Sequence, residues 1–177
     1  NFLSDLGRTM SFSEEVNYFS AQFFNMSLIL AGSVFIYFYF HVSRVFLAKN
    51  QKIWANIGSF IGIFGGLSLI GVGLTPADLY LEIHIVCATW LFRFFFVTSL
   101  CYSIVIFRHT KFENKYASGY LVFTFSILLY ILVSEFGPDP QTNKFALTLQ
   151  VVSQKMILII LMASIYIQTL GLKKLQK

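Results

Sequence analysis

The sequence predicts an all-α polytopic transmembrane bundle, with five spans in this chain forming a single helical domain over residues 1–177. Three observations predict it. Hydrophobic residues make up 56% of the chain and charged residues 12%, with a mean hydropathy of +0.71. A soluble domain of this length could not hide that much apolar surface from water. The apolar residues also gather into runs of the length a bilayer-crossing helix needs, about 20 residues. Finally, the short connections between those runs alternate in the sign of their charge.

The spans read as residues 20–41, 53–74, 84–107, 117–136 and 147–170. The runs are too long for barrel strands and lack period-2 alternation, so they are helices. Basic residues follow the first span (Arg44, Lys49, Lys52), the third (Arg108, Lys111, Lys115) and the fifth (Lys173, Lys174, Lys177). Acidic residues mark the alternate segments: Asp5, Glu14 and Glu15, then Asp78 and Glu82, then Glu135 and Asp139. Basic connections stay in the cytoplasm, which places the C-terminus inside and Asn1 outside. An outside Asn1 is expected to follow either a cleaved signal peptide or an earlier transmembrane helix, and the loop-like stretch of residues 1–7 favours the helix, giving six in the complete protein.

The formal charge of +5 does not indicate nucleic acid, because the basic residues sit where topology requires them. Cys87 and Cys101, about 21 Å apart along one helix, cannot bridge each other. No Cys/His spacing suggests zinc, and only His84 of the three histidines lies near the outer rim, so no metal and no cofactor is expected. A lysine deep in the last helix could hold retinal, but the third span offers no Asp as counterion.

The second span carries Gly58, Gly62 and Gly66, a tandem G-x-x-x-G that lets a neighbouring backbone approach closely. Packing within the chain is the main expectation, and homo-oligomerisation the alternative. Trp54, Tyr80, Tyr102, Tyr116 and Tyr120 fall near span ends, as an aromatic belt would.

Polar residues within a membrane are costly and mark functional candidates. They crowd into the outer halves of the spans: Gln22, Asn25 and Ser27; His84, Thr89 and Arg93; Gln150, Gln154 and Lys155. This asymmetry predicts a polar cavity open to the outside. Arg93 and Lys155 sit at a similar depth, about 12–14 Å below the outer rim, and are expected to border that cavity together. Their partner is a carboxylate such as Glu82, near the same helical face as Arg93, or an anionic ligand. Arg93, Lys155, Glu82, Gln154 and Asn25 are the candidate ligand-binding residues. Asp78 and Glu82 fit helix capping, and a second reading makes Asp78 or Asp5 an acid–base partner of His84.

The segments Asn1-Phe2-Leu3-Ser4-Asp5-Leu6-Gly7-Arg8, Asn25-Met26-Ser27 and Gly73-Leu74-Thr75-Pro76-Ala77-Asp78, with His84 soon after, resemble an uncharacterised prokaryotic membrane family, domain of unknown function 998. That family is in turn distantly similar to the DRAM/Sfk-like six-helix proteins. The resemblance implies a multi-pass protein of the cell (inner) membrane and a first helix ahead of Ser4-Asp5-Leu6-Gly7. It implies no activity or cofactor, and a site at Ser4, Asp5, Asp78 and His84. Three functions fit the sequence. The first is binding of an anionic lipid or small anion by the outward cavity, with membrane lipids as partners. The second is a role as accessory subunit of a larger membrane complex. The third is modification of lipid headgroups, with Asp5, Asp78 and His84 as catalytic candidates.

Overall fold

The computed structural model describes residues 2–46, 48–110, 113–140 and 142–175. Asn1, Lys111 and Lys177, which enter the charge pattern above, lie outside the described residues, as does the side chain of Lys49. Five long helices form the bundle: α1 Tyr18–Val42, α2 Lys49–Leu74, α3 Leu81–Phe107, α4 Ala117–Phe136 and α5 Lys144–Leu175. Each holds a stretch long and apolar enough to cross a membrane, and the chain is a multi-pass integral membrane protein. Four of the five helices outrun the apolar stretches by a few residues at one or both ends. At α5, Asn143 Oδ1 accepts from the N–H groups of Phe145 (2.9 Å) and Ala146 (3.1 Å), so the helix starts at Lys144.

Helices adjacent in sequence pack on each other, in the order α1–α2–α3–α4–α5. Glycines set the first two contacts. A Cβ on Gly66 would lie 2.8 Å from the Gly32 carbonyl oxygen, and one on Gly32 would lie 2.6 Å from that of Gly66. The α1 and α2 backbones therefore touch with no side chain between them. Gly62 receives the ring of Tyr39, while Gly58 and Gly65 face α3, against Tyr102 and Phe95. All three residues of the tandem motif are thus occupied by packing within the chain.

The core runs through the end of the bundle opposite the Asp78 loop. Tyr102 stacks on Tyr120 with ring centroids 5.6 Å apart, and its hydroxyl lies 2.5 Å from Ser59 Oγ. Thr124 donates to Ser99 Oγ at 2.7 Å, joining α4 to α3. This corrects the expected aromatic belt: Tyr102, Tyr116 and Tyr120 are buried, and only Tyr80 is exposed and Trp54 half-buried. Distance from a helix end gives a residue's height but not the face it occupies, and these three tyrosines face inward.

Candidate functional site

The site arises from unequal helix lengths. α4 is a 20-residue helix that stops at Gly137-Pro138, whereas α3 runs for 27 residues. Glu135, in the last turn of α4, ion-pairs with Arg93 of α3. Arg93 lies twelve residues after the start of α3, so α3 continues about 18 Å beyond the level at which α4 ends. The notch so left between α3 and α5 is covered by the N-terminal segment rather than by a spanning helix.

Two contacts anchor that segment. It opens with a short 3-10 helix, Leu3–Gly7, whose last carbonyl accepts a hydrogen bond from Asn25 Nδ2 of α1 at 3.0 Å. Gly7 is pressed so closely on Asn25 that a Cβ would not fit. The chain then reverses between Met10 and Val16, which form an isolated bridge. Asp78, in the loop between α2 and α3, holds the start of the reversal. Its Oδ2 accepts from Thr9 Oγ1 (2.6 Å), Thr9 N–H (2.9 Å) and Met10 N–H (3.0 Å). Burial alone would raise the Asp78 pKa, but these donors outweigh it and hold the carboxyl below its ordinary value.

Beneath the segment lies a cavity of about 620 Å³, a volume ordinary for a ligand site. α3 contributes Leu81, His84, Ile85, Ala88, Thr89, Phe92 and Arg93, one face of the helix by their spacing. Leu147, Gln150 and Gln154 come from α5, while Tyr130, Ile131, Ser134 and Glu135 of α4 form the floor. Phe2, Ser4, Asp5, Arg8 and Phe12 form the cover. Gln154 Nε2 donates to the Tyr130 hydroxyl at 2.7 Å, tying α5 to the floor. Arg93, besides its pair with Glu135, lies 5.3 Å from the centroid of the Trp90 ring. Arg8 lies 4.3 Å from that of Phe12.

Of the residues singled out from sequence, Arg93, Gln154, His84, Ser4 and Asp5 meet at this cavity. Lys155 does not: it is exposed and is not among the lining residues, so Arg93 and Lys155 do not share the cavity. Counting along each span placed both at one depth. Gln150 and Gln154 occupy the cavity face of α5, however, and the next residue is turned about 100° from it. Glu82 is likewise exposed and does not pair with Arg93. Eleven residues along a helix return nearly to the same face but about 16 Å away, beyond any ion pair. Asn25 and Asp78 hold the cover in place and do not line the cavity.

The acid–base pairing of Asp78 with His84 is also not formed. Asp78 is engaged by Thr9 and Met10, and His84 Nδ1 lies 2.6 Å from the Thr75 carbonyl oxygen. Among the described residues, no group of three His, Cys, Asp or Glu side chains is placed to hold a metal ion.

Sequence reasoning missed Glu135, Arg8 and the floor of the cavity. The available signal was the brevity of the fourth apolar run, closed by Gly137-Pro138, beside a third run several residues longer. The cavity can offer two guanidinium groups, two carboxylates, an imidazole and two amides within a largely apolar wall. That set suits binding of an amphiphile. Comparison of the chain with protein-family models, with curated proteins and with solved structures finds no match.

Proposed function

We propose that this membrane protein binds the headgroup and first acyl carbons of a bilayer phospholipid in the cavity between α3 and α5, on the outer side of the membrane. The observation that supports this reading is how polarity is distributed along the cavity. Leu81, Ile85 and Leu147 line it, and they are also exposed on the surface of the bundle, at 53%, 51% and 37%. A phospholipid entering between them would keep its headgroup under the cover, beside Asp5, Arg8 and Gln150, while its first acyl carbons ran inward past Ala88 and Phe92. A small inorganic anion is less well served. Arg93 is already neutralised by Glu135, and the charged lining is balanced, with Arg8 and Arg93 against Asp5 and Glu135.

Two measurements test the proposal. Ala88 lines the cavity from α3 without touching the ion pair, and Ala88→Phe would fill the space an acyl chain needs. Phospholipid carried through detergent purification should fall severalfold in this variant at an unchanged melting midpoint. Equal lipid retention would refute the cavity as the binding site. For the orientation, cysteines placed at positions 139 and 115 in a background lacking Cys87 and Cys101 should differ in labelling by an impermeant maleimide. Position 139 should react from outside and position 115 should not. The reverse pattern would turn the cavity toward the cytoplasm.

A further inference from the structure

Two buried side chains of the cavity have hydrogen-bonding atoms without a partner among the described residues. His84 is 7% exposed, and its Nδ1 lies 2.6 Å from the Thr75 carbonyl oxygen. A carbonyl can only accept, so Nδ1 carries the proton, and in the neutral ring Nε2 is left with a lone pair. That atom makes no hydrogen bond among the described residues, and the ring lines the cavity. Gln150, across the cavity on α5, is 6% exposed and likewise makes no hydrogen bond among the described residues. Neither is sealed in protein, and both residues line the cavity, so a bound group or water there can meet these atoms.

The acceptors define what the occupant must offer. The cover adds Asp5 to the lining of the same cavity, and its carboxylate also makes no hydrogen bond among the described residues. An imidazole lone pair and a carboxylate together call for a donor that is also a cation. Arg8 supplies the opposite sign, suited to a phosphate, since Arg93 is already paired with Glu135. Resting on the phospholipid reading above, we infer that the cavity selects a headgroup ending in a primary ammonium, of the phosphoethanolamine type, over one ending in a quaternary ammonium. A primary ammonium carries three N–H donors for His84 Nε2 and Asp5. A trimethylated one carries none and would leave both acceptors unmet. Quaternary ammonium ions are usually held by open aromatic faces. Here the face of Phe12 carries the Arg8 guanidinium, and Phe92 packs on Tyr130 with centroids 4.5 Å apart.

The test is a methylation series. Purified, delipidated protein in detergent is offered equimolar phosphatidylethanolamine, its mono- and dimethyl derivatives and phosphatidylcholine, all with the same acyl chains. Bound lipid is read by native mass spectrometry, and free O-phosphoethanolamine is titrated in a separate arm. Wild type should retain the lipids that keep an N–H, with a loss of about tenfold at the last methylation, the ratio expected for one hydrogen bond. His84→Phe should bring phosphatidylethanolamine down to the level of phosphatidylcholine, and His84→Gln, which restores an acceptor, should recover part of the difference. If His84→Phe fails to fold, Asp5→Ala, which removes the other acceptor, reads the same loss. Equal retention along the series, or a preference for phosphatidylcholine, overturns this inference while leaving the phospholipid site standing. Retention of none of the four lipids overturns both. Binding of free O-phosphoethanolamine as tightly as the lipid would make the ligand a soluble amine phosphate instead.

Discussion

The two halves of the bundle are built to opposite rules. α1, α2 and the adjoining face of α3 meet through glycines, so that backbone lies against backbone at Gly32 and Gly66 and rings settle onto Gly58, Gly62 and Gly65. At the cavity-bearing end of α3, α4 and α5 the contacts are longer side chains: Arg93 with Glu135, Gln154 with Tyr130, Phe92 with Tyr130. In a membrane, apolar side chains gain little by leaving lipid for protein, so close packing of small residues supplies much of the cohesion. The half that has it is solid. The half that lacks it stands apart at one end and is bridged by polar groups, and the cavity lies there.

The largest test of this contrast is Gly66→Leu. The new side chain would have to displace the α1 backbone at Gly32, with Ile36 Cγ1 already 2.7 Å from the Cβ position. A destabilisation of about 3 kcal/mol, the upper range for overpacking, is expected in thermal or denaturant unfolding in detergent. A variant as stable as wild type would mean that α1 and α2 are not held by this crossing.

A smaller effect is expected at the cover of the loose half. Asp78→Asn keeps the shape of the side chain but weakens three hydrogen bonds to Thr9 and Met10. The loss should be about 1–2 kcal/mol, confined to the N-terminal segment, and visible as faster proteolysis within residues 2–17. Its pH dependence follows from the lowered pKa of Asp78. The native carboxylate is favoured over the unfolded one, so its contribution is complete above the ordinary Asp value of about 4 and fades as pH falls below it. Wild type should therefore become protease-sensitive in this segment only in acid, and Asp78→Asn at every pH. A wild-type segment that opens near neutral pH would assign its anchoring to another group.

How much of this was legible in the sequence depends on whether a property is linear or angular. Span positions are linear, and the fourth run at residues 117–136 coincides with α4, because hydropathy and helix length both read along the chain. The glycines of α2 announced close packing for the same reason. Sequence reasoning failed wherever the answer lay in azimuth or in the meeting of distant segments. Lys155 has the right height and the wrong face, and Glu82 the right face and the wrong height. The ion pair of Arg93 joins it to a residue of the next helix, 42 positions away. Only the packing of α3 on α4 sets that register. Asp78 is similar: its position before α3 suggests capping, yet its donors come from Thr9 and Met10, 69 and 68 residues earlier.

The smallest expected effect sharpens the contrast from the other side. Gly119 is a glycine of the loose half, where α4 faces α5. A Cβ there would lie 3.3 Å from Gln168 Nε2, Ser164 Cα and Ser164 Oγ. These distances are tight, but two of the three atoms belong to polar side chains that can move by a few tenths of an ångström. Gln168 is engaged, since its Nε2 donates to the Tyr116 carbonyl at 3.0 Å, so the room is not free. Against that cost stands the helix-forming advantage of Ala over Gly, about 1 kcal/mol. The two contributions oppose each other and are of similar size. Gly119→Ala should therefore change stability by less than about 0.5 kcal/mol, whereas Gly66→Ala, facing backbone at 2.8 Å, should already be clearly destabilising. Measured together in one detergent, the pair isolates what lies across from each glycine, because the substitution is the same. A loss at Gly119 as large as that at Gly66 would show that α4 and α5 are also locked by a small-residue contact. The division of the bundle into a solid half and a cavity-bearing half would then fail.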